Sequence, residues 1–222
     1  DFFCLVSTSS RFEVTFQDTM GCVHWVERDG IPSPRAIGGH PALDFCNTWA
    51  GWDAWDGQDP ASRSEWLRSY PWFAAWAGYV GLLEPDEEAA LRRRDDDAAD
   101  RVVADARALR TSLHAAVLDP TDAKAMARVT GYVRRAADGL RLVPGDEPTW
   151  RVTSSRTVEL PLLRVAWAAG DLLTSGRLGE VAQCPGDDCG WLFLNSSGRR
   201  RWCSMESCGN RAKVRAFAHR NR

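Results

Sequence analysis

The feature that most constrains this chain is a pair of matching cysteine half-sites. Cys184-Pro185-Gly186-Asp187-Asp188-Cys189-Gly190 and Cys203-Ser204-Met205-Glu206-Ser207-Cys208-Gly209 both read C-x4-C-G, and thirteen residues separate them. A short spacing lets one tight turn present two thiolates to one ion, and Zn²⁺ takes four such ligands in a tetrahedron. A glycine after the second cysteine admits positive φ at the exit of the turn. Four thiolates leave no open coordination position. The spacing therefore predicts a structural zinc ion on Cys184, Cys189, Cys203 and Cys208 and disfavours a catalytic one. Metal binding contributes on the order of 10 kcal/mol to folding a segment too short for its own core. Buried free thiols and a redox-switching zinc site are the competing readings.

The remaining cysteines, Cys4, Cys22 and Cys46, are scattered, and the total of seven is odd, so not all can pair internally. The opening Asp1-Phe2-Phe3-Cys4-Leu5-Val6 lacks the basic region and long apolar stretch of a secretory leader. A cytoplasmic, reducing setting is the expectation. The chain has no apolar run of about 18 residues, so neither a membrane span nor a membrane partner is expected. A second metal site on Cys22, His24, His40 and Cys46 is conceivable, but the irregular spacing argues against it.

Charge is unevenly spread. Residues 184–222 carry eight basic and three acidic side chains, a net +5, and the whole chain is −2, which leaves −7 for the rest. This is the pattern of a basic module on an acidic body. Arg199-Arg200-Arg201 lies between the half-sites. The run from Asn210 to Arg220 reads as a helix in which Arg211, Arg215 and Arg222 fall on one side. Val214 and Phe217 fall on another side and are expected to seat against the body. Such a ridge suits phosphate contacts, and the candidate nucleic-acid residues are Arg199, Arg200, Arg201, Asn210, Arg211, Lys213 and Arg215. The bland alternative is a solvated basic helix. Of the 28 basic residues only Lys124 and Lys213 are lysine, which weakens the case that each arginine was selected for phosphate.

Three segments follow: an extension over 1–35, a helical domain over 36–178 and the cysteine module with its basic helix over 179–222. In the extension, Phe12, Val14 and Phe16 alternate as on a strand and are expected to pair with Val23–Val26, while Ile31-Pro32-Ser33-Pro34 reads as a break. In the middle, Pro71 suits a first helical turn, followed by Trp72, Trp76, Tyr79 and Leu83 at helical spacing. Pro85 opens a second helix with acids in its first turn. Val102, Ala106, Leu109, Leu113 and Ala116 form an apolar stripe ended by Asp119-Pro120. Met126, Val129 and Val133 mark another helix with Gly139 at its C-cap. Leu140–Val143 and Trp150–Thr153 read as a hairpin. Pro161 begins a last body helix with Leu163, Trp167 and Leu173 on one side. Trp191, Leu192, Phe193 and Trp202 are placed to dock the module. The expected class is mainly α with small β-hairpins (α+β): a helical N-terminal domain plus a small Cys4 zinc-finger module.

Eleven tryptophans are many for 222 residues. Trp49, Trp52, Trp55, Trp66, Trp72 and Trp76 fall close together. They pack a core and a loop, or they border a pocket for a flat, apolar small molecule with Asp44 and Asn47 as polar contacts. Asp53 and Asp56 are further polar candidates. Asp95-Asp96-Asp97 reads as a solvated helix face beside Arg92–Arg94. G-x-S-x-G, P-loop, H-E-x-x-H and G-x-G-x-x-G motifs are all missing, so no enzyme is expected.

The stretch Cys184-x4-Cys189-Gly190-Trp191-Leu192-Phe193, then Arg200-Arg201-Trp202-Cys203-Ser204-Met205, then Cys208-Gly209-Asn210-Arg211 resembles the CGNR zinc finger. Upstream, Gly39-His40-Pro41-Ala42-Leu43-Asp44-Phe45-Cys46-Asn47-Thr48, Trp76 with Gly81-Leu82-Leu83, and Ala169-Gly170-Asp171-Leu172-Leu173-Thr174-Ser175 are similar to the ABATE domain, which precedes this finger chiefly in actinobacterial proteins. The resemblance covers about residues 36–222. It implies a stress-induced transcriptional regulator with a mostly helical N-terminal domain and a DNA-binding zinc finger. In that reading the body senses a signal or mediates homodimer formation. The alternative is a small-molecule binding protein whose finger is only structural. A protein-interaction module stays open as well, because Trp-rich surfaces also bind partners.

Overall fold

The computed structural model describes residues 25–52 and 65–220. The predicted strand at Phe12–Phe16 lies outside them, and so do Trp55, Asp53, Asp56 and Arg222. Among the described residues β1 (Trp25–Arg28) pairs with β2 (Ile31–Pro34), antiparallel, with Arg28 opposite Ile31 and Trp25 opposite Pro34. The expected break at Ile31–Pro34 is therefore a strand. Asp29 and Gly30 both take positive φ, at 49° and 77°, which is the two-residue turn that matches strand twist. In such a hairpin the pair flanking the turn is hydrogen-bonded and the pairs alternate outward. Pro32, opposite Glu27, and Pro34, opposite Trp25, thus occupy positions that need no N–H.

The body is a helical assembly: α1 (Pro41–Cys46), α2 (Tyr70–Tyr79), α3 (Pro85–Leu91), α4 (Asp97–Leu118), α5 (Ala123–Asp138) and α6 (Leu160–Thr174). The starts are capped as their sequences demand. Asp96 accepts from the N–H groups of Ala98 and Ala99, and Asp122 accepts from those of Lys124 and Ala125. Asp96 is thus a cap with an ion pair to Arg94 at 2.6 Å, rather than part of a helix face. The stripe of α4 is buried as expected, from Val102 through Ala106, Leu109 and Leu113 to Ala116. It packs on α5 and α6, and α1 lies against both α4 and α6.

Two helices bury a different side from the one periodicity pointed to. In α2 the buried residues are Tyr70, Phe73, Ala74, Ala75, Trp76 and Ala77, while Trp72 and Tyr79 stay half-exposed. This helix is apolar all round, so periodicity could not choose its face. In α6, Leu162, Val165, Ala166, Ala169 and Leu172 go inward with Leu163, and Trp167 and Leu173 sit at the margin.

β3 (Leu140–Val143) and β4 (Thr149–Val152) form the expected hairpin. Gly139 does cap α5, but at φ −93°. Its lack of a side chain serves another need: a Cβ there would lie 2.0 Å from the Thr153 carbonyl oxygen. Arg164 of α6 ties this region together, donating to the carbonyls of Leu82 (2.8 Å) and Val152 (3.1 Å) and pairing with Glu87. After α6 come β5 (Val181–Gln183) and β6 (Leu192–Leu194), an antiparallel ribbon, and then α7 (Asn210–Arg220). The cysteine half-sites flank β6. No helix among the described residues is long and apolar enough to cross a membrane.

Candidate metal centre and finger surface

The two half-sites close on one point. The Sγ atoms of Cys184, Cys189, Cys203 and Cys208 all lie within 4.8 Å of one another and are buried. Cys189 and Cys203 are 3.6 Å apart and Cys203 and Cys208 3.5 Å. A disulfide would need about 2.05 Å. Four thiolates at about 2.3 Å around a zinc ion stand roughly 3.8 Å from each other, so the set fits the ion. The backbone is shaped to the same end. Asp188 and Gly190 take positive φ at 56° and 67° to turn the first half-site. Gly186 lies against the cluster: a Cβ on it would meet Cys208 Sγ at 2.9 Å and Cys184 Sγ at 3.5 Å. The second half-site is built differently, on a π-helical turn from Met205 to Gly209 started by the Ser204 side chain, which accepts from the Glu206 N–H. Gly209 is not among the positive-φ glycines, so the expected reason for it fails. It leaves room instead for Met205, whose Sδ would stand 2.8 Å from a Cβ.

Packed this closely, the thiols share protons unequally. Hydrogen bonds from Cys184, Cys189 and Cys203, with help from the Arg211 guanidinium, hold Cys208 well below the ordinary thiol range. Contacts with Cys184 first, then Cys203 and Cys208, push Cys189 up. One cation at the centre removes the conflict by letting all four lose their protons.

The finger is bolted to the body through residues 38–51. Fully buried Asn47 donates from Nδ2 to the Leu192 carbonyl at 2.9 Å and accepts from the Leu192 N–H at 2.8 Å. The Leu194 N–H reaches the Gly38 carbonyl at 2.8 Å, and the Gly51 N–H reaches the Cys189 carbonyl at 3.0 Å. The Trp191 indole donates to the Trp49 carbonyl at 2.9 Å. Leu192 joins the body core with Leu194 packed against that core, while Trp191 and Phe193 line the cysteine cluster with Ala50. The strand thus divides its two faces between body and finger.

The residues around Asn47 exist to present it. Gly39 turns the chain at φ 79°. His40 Nδ1 caps α1 on the Ala42 N–H, and its Nε2 lies 3.2 Å from Asp171. Asp44 accepts from the Gly38 N–H at 2.7 Å, and burial raises its pKa to about 6 despite that bond. Sequence reasoning missed what lies behind. Arg110 of α4 is fully buried and donates to Glu65 (2.7 and 2.5 Å) and to the Thr48 carbonyl and hydroxyl (3.1 and 3.0 Å). Its guanidinium also lies over the Trp49 ring. Burial pushes His114 down to about 4, and its neutral ring stacks on Trp52 at 3.7 Å. An arginine one residue from the apolar stripe was the one available signal.

The groups assigned to a ligand pocket are largely used by the protein itself. Asp44 and Asn47 hold backbone. Trp49 is buried beneath Arg110. Trp52 stacks on His114, and Trp76 packs in the core against Phe45 and Phe73.

With this geometry in hand, the comparisons are specific. Residues 39–176 match the model of the ABATE family, described as "Putative stress-induced transcription regulator". The chain belongs to the ABATE family. Residues 180–221 match the CGNR zinc finger, so the four-cysteine centre of this ABATE protein is a structural zinc site. No curated protein matches the chain.

The basic residues of the finger divide into two groups. Arg200 is half-buried: it donates to the Trp202 carbonyl at 3.2 Å and to the Cys203 carbonyl, and it lies 4.2 Å over the Phe193 ring. Arg211 donates to Cys208 Sγ at 3.1 Å, and Arg215 pairs with Asp187 of the first half-site. Asn210 donates to the Glu206 carbonyl at 3.2 Å. Arg199, Arg201 and Lys213 are exposed, and Arg201 lies over the Trp202 ring. Among the described residues, Val214 and Phe217 do not find the expected seat on the body. They are 68% and 62% exposed, and α7 has no buried residue. β6 already occupies the docking face of the body, and α7 is tied back to the finger by Arg211 and Arg215.

Proposed function

We propose that this protein is a zinc-dependent regulator that binds duplex DNA through its finger, acting by binding rather than catalysis, in the cytoplasm. The observation that carries the reading is a set of exposed cations, Arg199, Arg201, Lys213 and Arg220, on a metal-stabilised module whose terminal helix contains no acidic residue. Cations held on a rigid scaffold release counterions from the phosphate backbone and make binding salt-dependent. The helical body takes the sensing role. Its segment 38–51 grips the finger at several points, so a signal that moves α1 also moves the finger.

The test is binding of zinc-loaded protein to duplex from its own promoter region and to random duplex across salt. With about four phosphate contacts, affinity falls about 100-fold between 50 and 200 mM salt. The Arg199→Ala/Arg201→Ala variant loses close to two from the slope of log K against log salt. No binding at 50 mM salt, with zinc content intact, would leave the finger as a structural clasp only.

A further inference from the structure

Resting on the DNA reading, we infer that α7 is the base-reading element, and that Val214 and Phe217 seat against thymine methyl groups in the major groove. At 100° per residue, Arg211, Ala212 and Arg215 share one side of α7. That side faces the finger: Arg211 reaches Cys208, Arg215 reaches Asp187, and Arg211 and Ala212 are the helix's half-buried positions. The opposite side carries Lys213, Phe217 and Arg220, with Val214 beside them, all exposed. Val214 and Phe217 are the two large apolar side chains of a helix whose other residues are polar or alanine, and each is more than 60% exposed, so they offer apolar surface to a partner.

The charges select the occupant. Lys213 and Arg220 flank the apolar pair, and among the described residues neither they nor Arg199 forms an ion pair. A second copy of this helix would bring like charges together. Two apolar side chains are too few for a lipid surface, where even a single myristoyl chain binds marginally. Duplex DNA meets both requirements. Its phosphates pair the cations, and its major groove admits a helix and displays thymine C5-methyl groups, which apolar side chains read. The 11 residues of α7 span about 16 Å, enough to cross a groove about 12 Å wide. Arg211 and Arg215, the ridge expected from sequence, then orient the helix rather than read DNA.

The experiment uses the full zinc-loaded chain and duplexes enriched from a randomised 20-base-pair pool, each made also with uracil in place of thymine. Wild type is expected to lose about fourfold in affinity for each contacted methyl removed. Phe217→Ala and Val214→Ala are each expected to lose the discrimination at the methyl that side chain contacts, and the double variant to bind thymine and uracil duplexes alike, with the salt slope and random-duplex affinity of wild type. Both side chains are exposed, so folding is not at stake, and zinc content verifies it. Lys213→Ala/Arg220→Ala should instead lower the salt slope by nearly two on every duplex. If wild type selects sequences but Phe217→Ala and Val214→Ala discriminate uracil as wild type does, the inference is wrong while DNA binding stands. If wild type binds no duplex at all, the broader reading fails with it. A drop in oligomeric mass on Phe217→Ala would reassign the face to self-association, and binding to anionic vesicles abolished by the same change would reassign it to lipid.

Discussion

Replacing Asn47 with alanine is expected to loosen the finger from the body while leaving the cysteines untouched. The Asn47 amide makes two bonds to one buried residue, Leu192, at 2.9 and 2.8 Å. Removing it strands a buried N–H and a buried carbonyl, each at about 1–3 kcal/mol, for a total of about 2–6 kcal/mol. Domains are stable by only about 5–15 kcal/mol, so the change consumes a large share. Urea unfolding followed by tryptophan fluorescence and far-ultraviolet circular dichroism would read the global part. Zinc transfer to a chromophoric chelator would read local opening, with release accelerated at least about tenfold, since each 1.4 kcal/mol is a factor of ten. Asn47→Asp sharpens the test. One carboxylate oxygen still accepts from the Leu192 N–H, but the other faces the Leu192 carbonyl, so this variant should be worse than alanine at pH 7. If Asn47→Ala lies within about 0.5 kcal/mol of wild type and zinc transfer is unchanged, the finger is held by something other than this bond pair.

Arg110→Met should cost about 3 kcal/mol in the same urea assay, because it removes the two-bond partner of the buried Glu65 carboxylate, which keeps Arg107 at 3.5 Å and the Leu67 N–H at 2.7 Å, and adding Glu65→Leu should recover part of the loss. Asp44 carries a pH signature. Its folded pKa is raised from 3.8 to about 6, so the folded state holds the proton more tightly between those values and stability falls as pH rises through that window. Asp44→Asn keeps an acceptor for Gly38, flattens that part of the pH profile and gains up to about 3 kcal/mol at pH 7. Gly186→Ala forces a methyl to within 2.9 Å of Cys208 Sγ and should weaken zinc at least about tenfold by chelator competition, whereas Gly179→Ala, with open space around it, should not.

The parts of this molecule that were legible in sequence are those set by local chemistry. Cysteine spacing marks the ligands, because a tight turn and a tetrahedron admit few arrangements. The α4 stripe, the Pro71 and Pro85 helix starts and the 140–152 hairpin are readable because each signal lies within a few residues of its effect. Asn47 is different. Its partner Leu192 is 145 positions away, and nothing local separates an asparagine that clasps backbone from one that awaits a ligand. The Arg110–Glu65 pair hides in the same way. The 25–34 hairpin did carry a local signal, Asp29-Gly30, but two prolines outweighed it. Their harmlessness depends on register, which composition does not reveal. Val214 and Phe217 illustrate the opposite error, since apolar residues on a helix imply a seat only if the fold has an unoccupied one.

Besides the Trp191 indole, the polar bonds described above from the finger to segment 38–51 run through main-chain atoms of Cys189, Leu192 and Leu194. A joint written in backbone is indifferent to the side chains displayed elsewhere on the module. The exposed positions 196–199 and 201 and the exposed side of α7 can therefore drift in sequence while the body keeps its hold. One helical body could be reused with many different finger surfaces, each replaceable without refitting the socket.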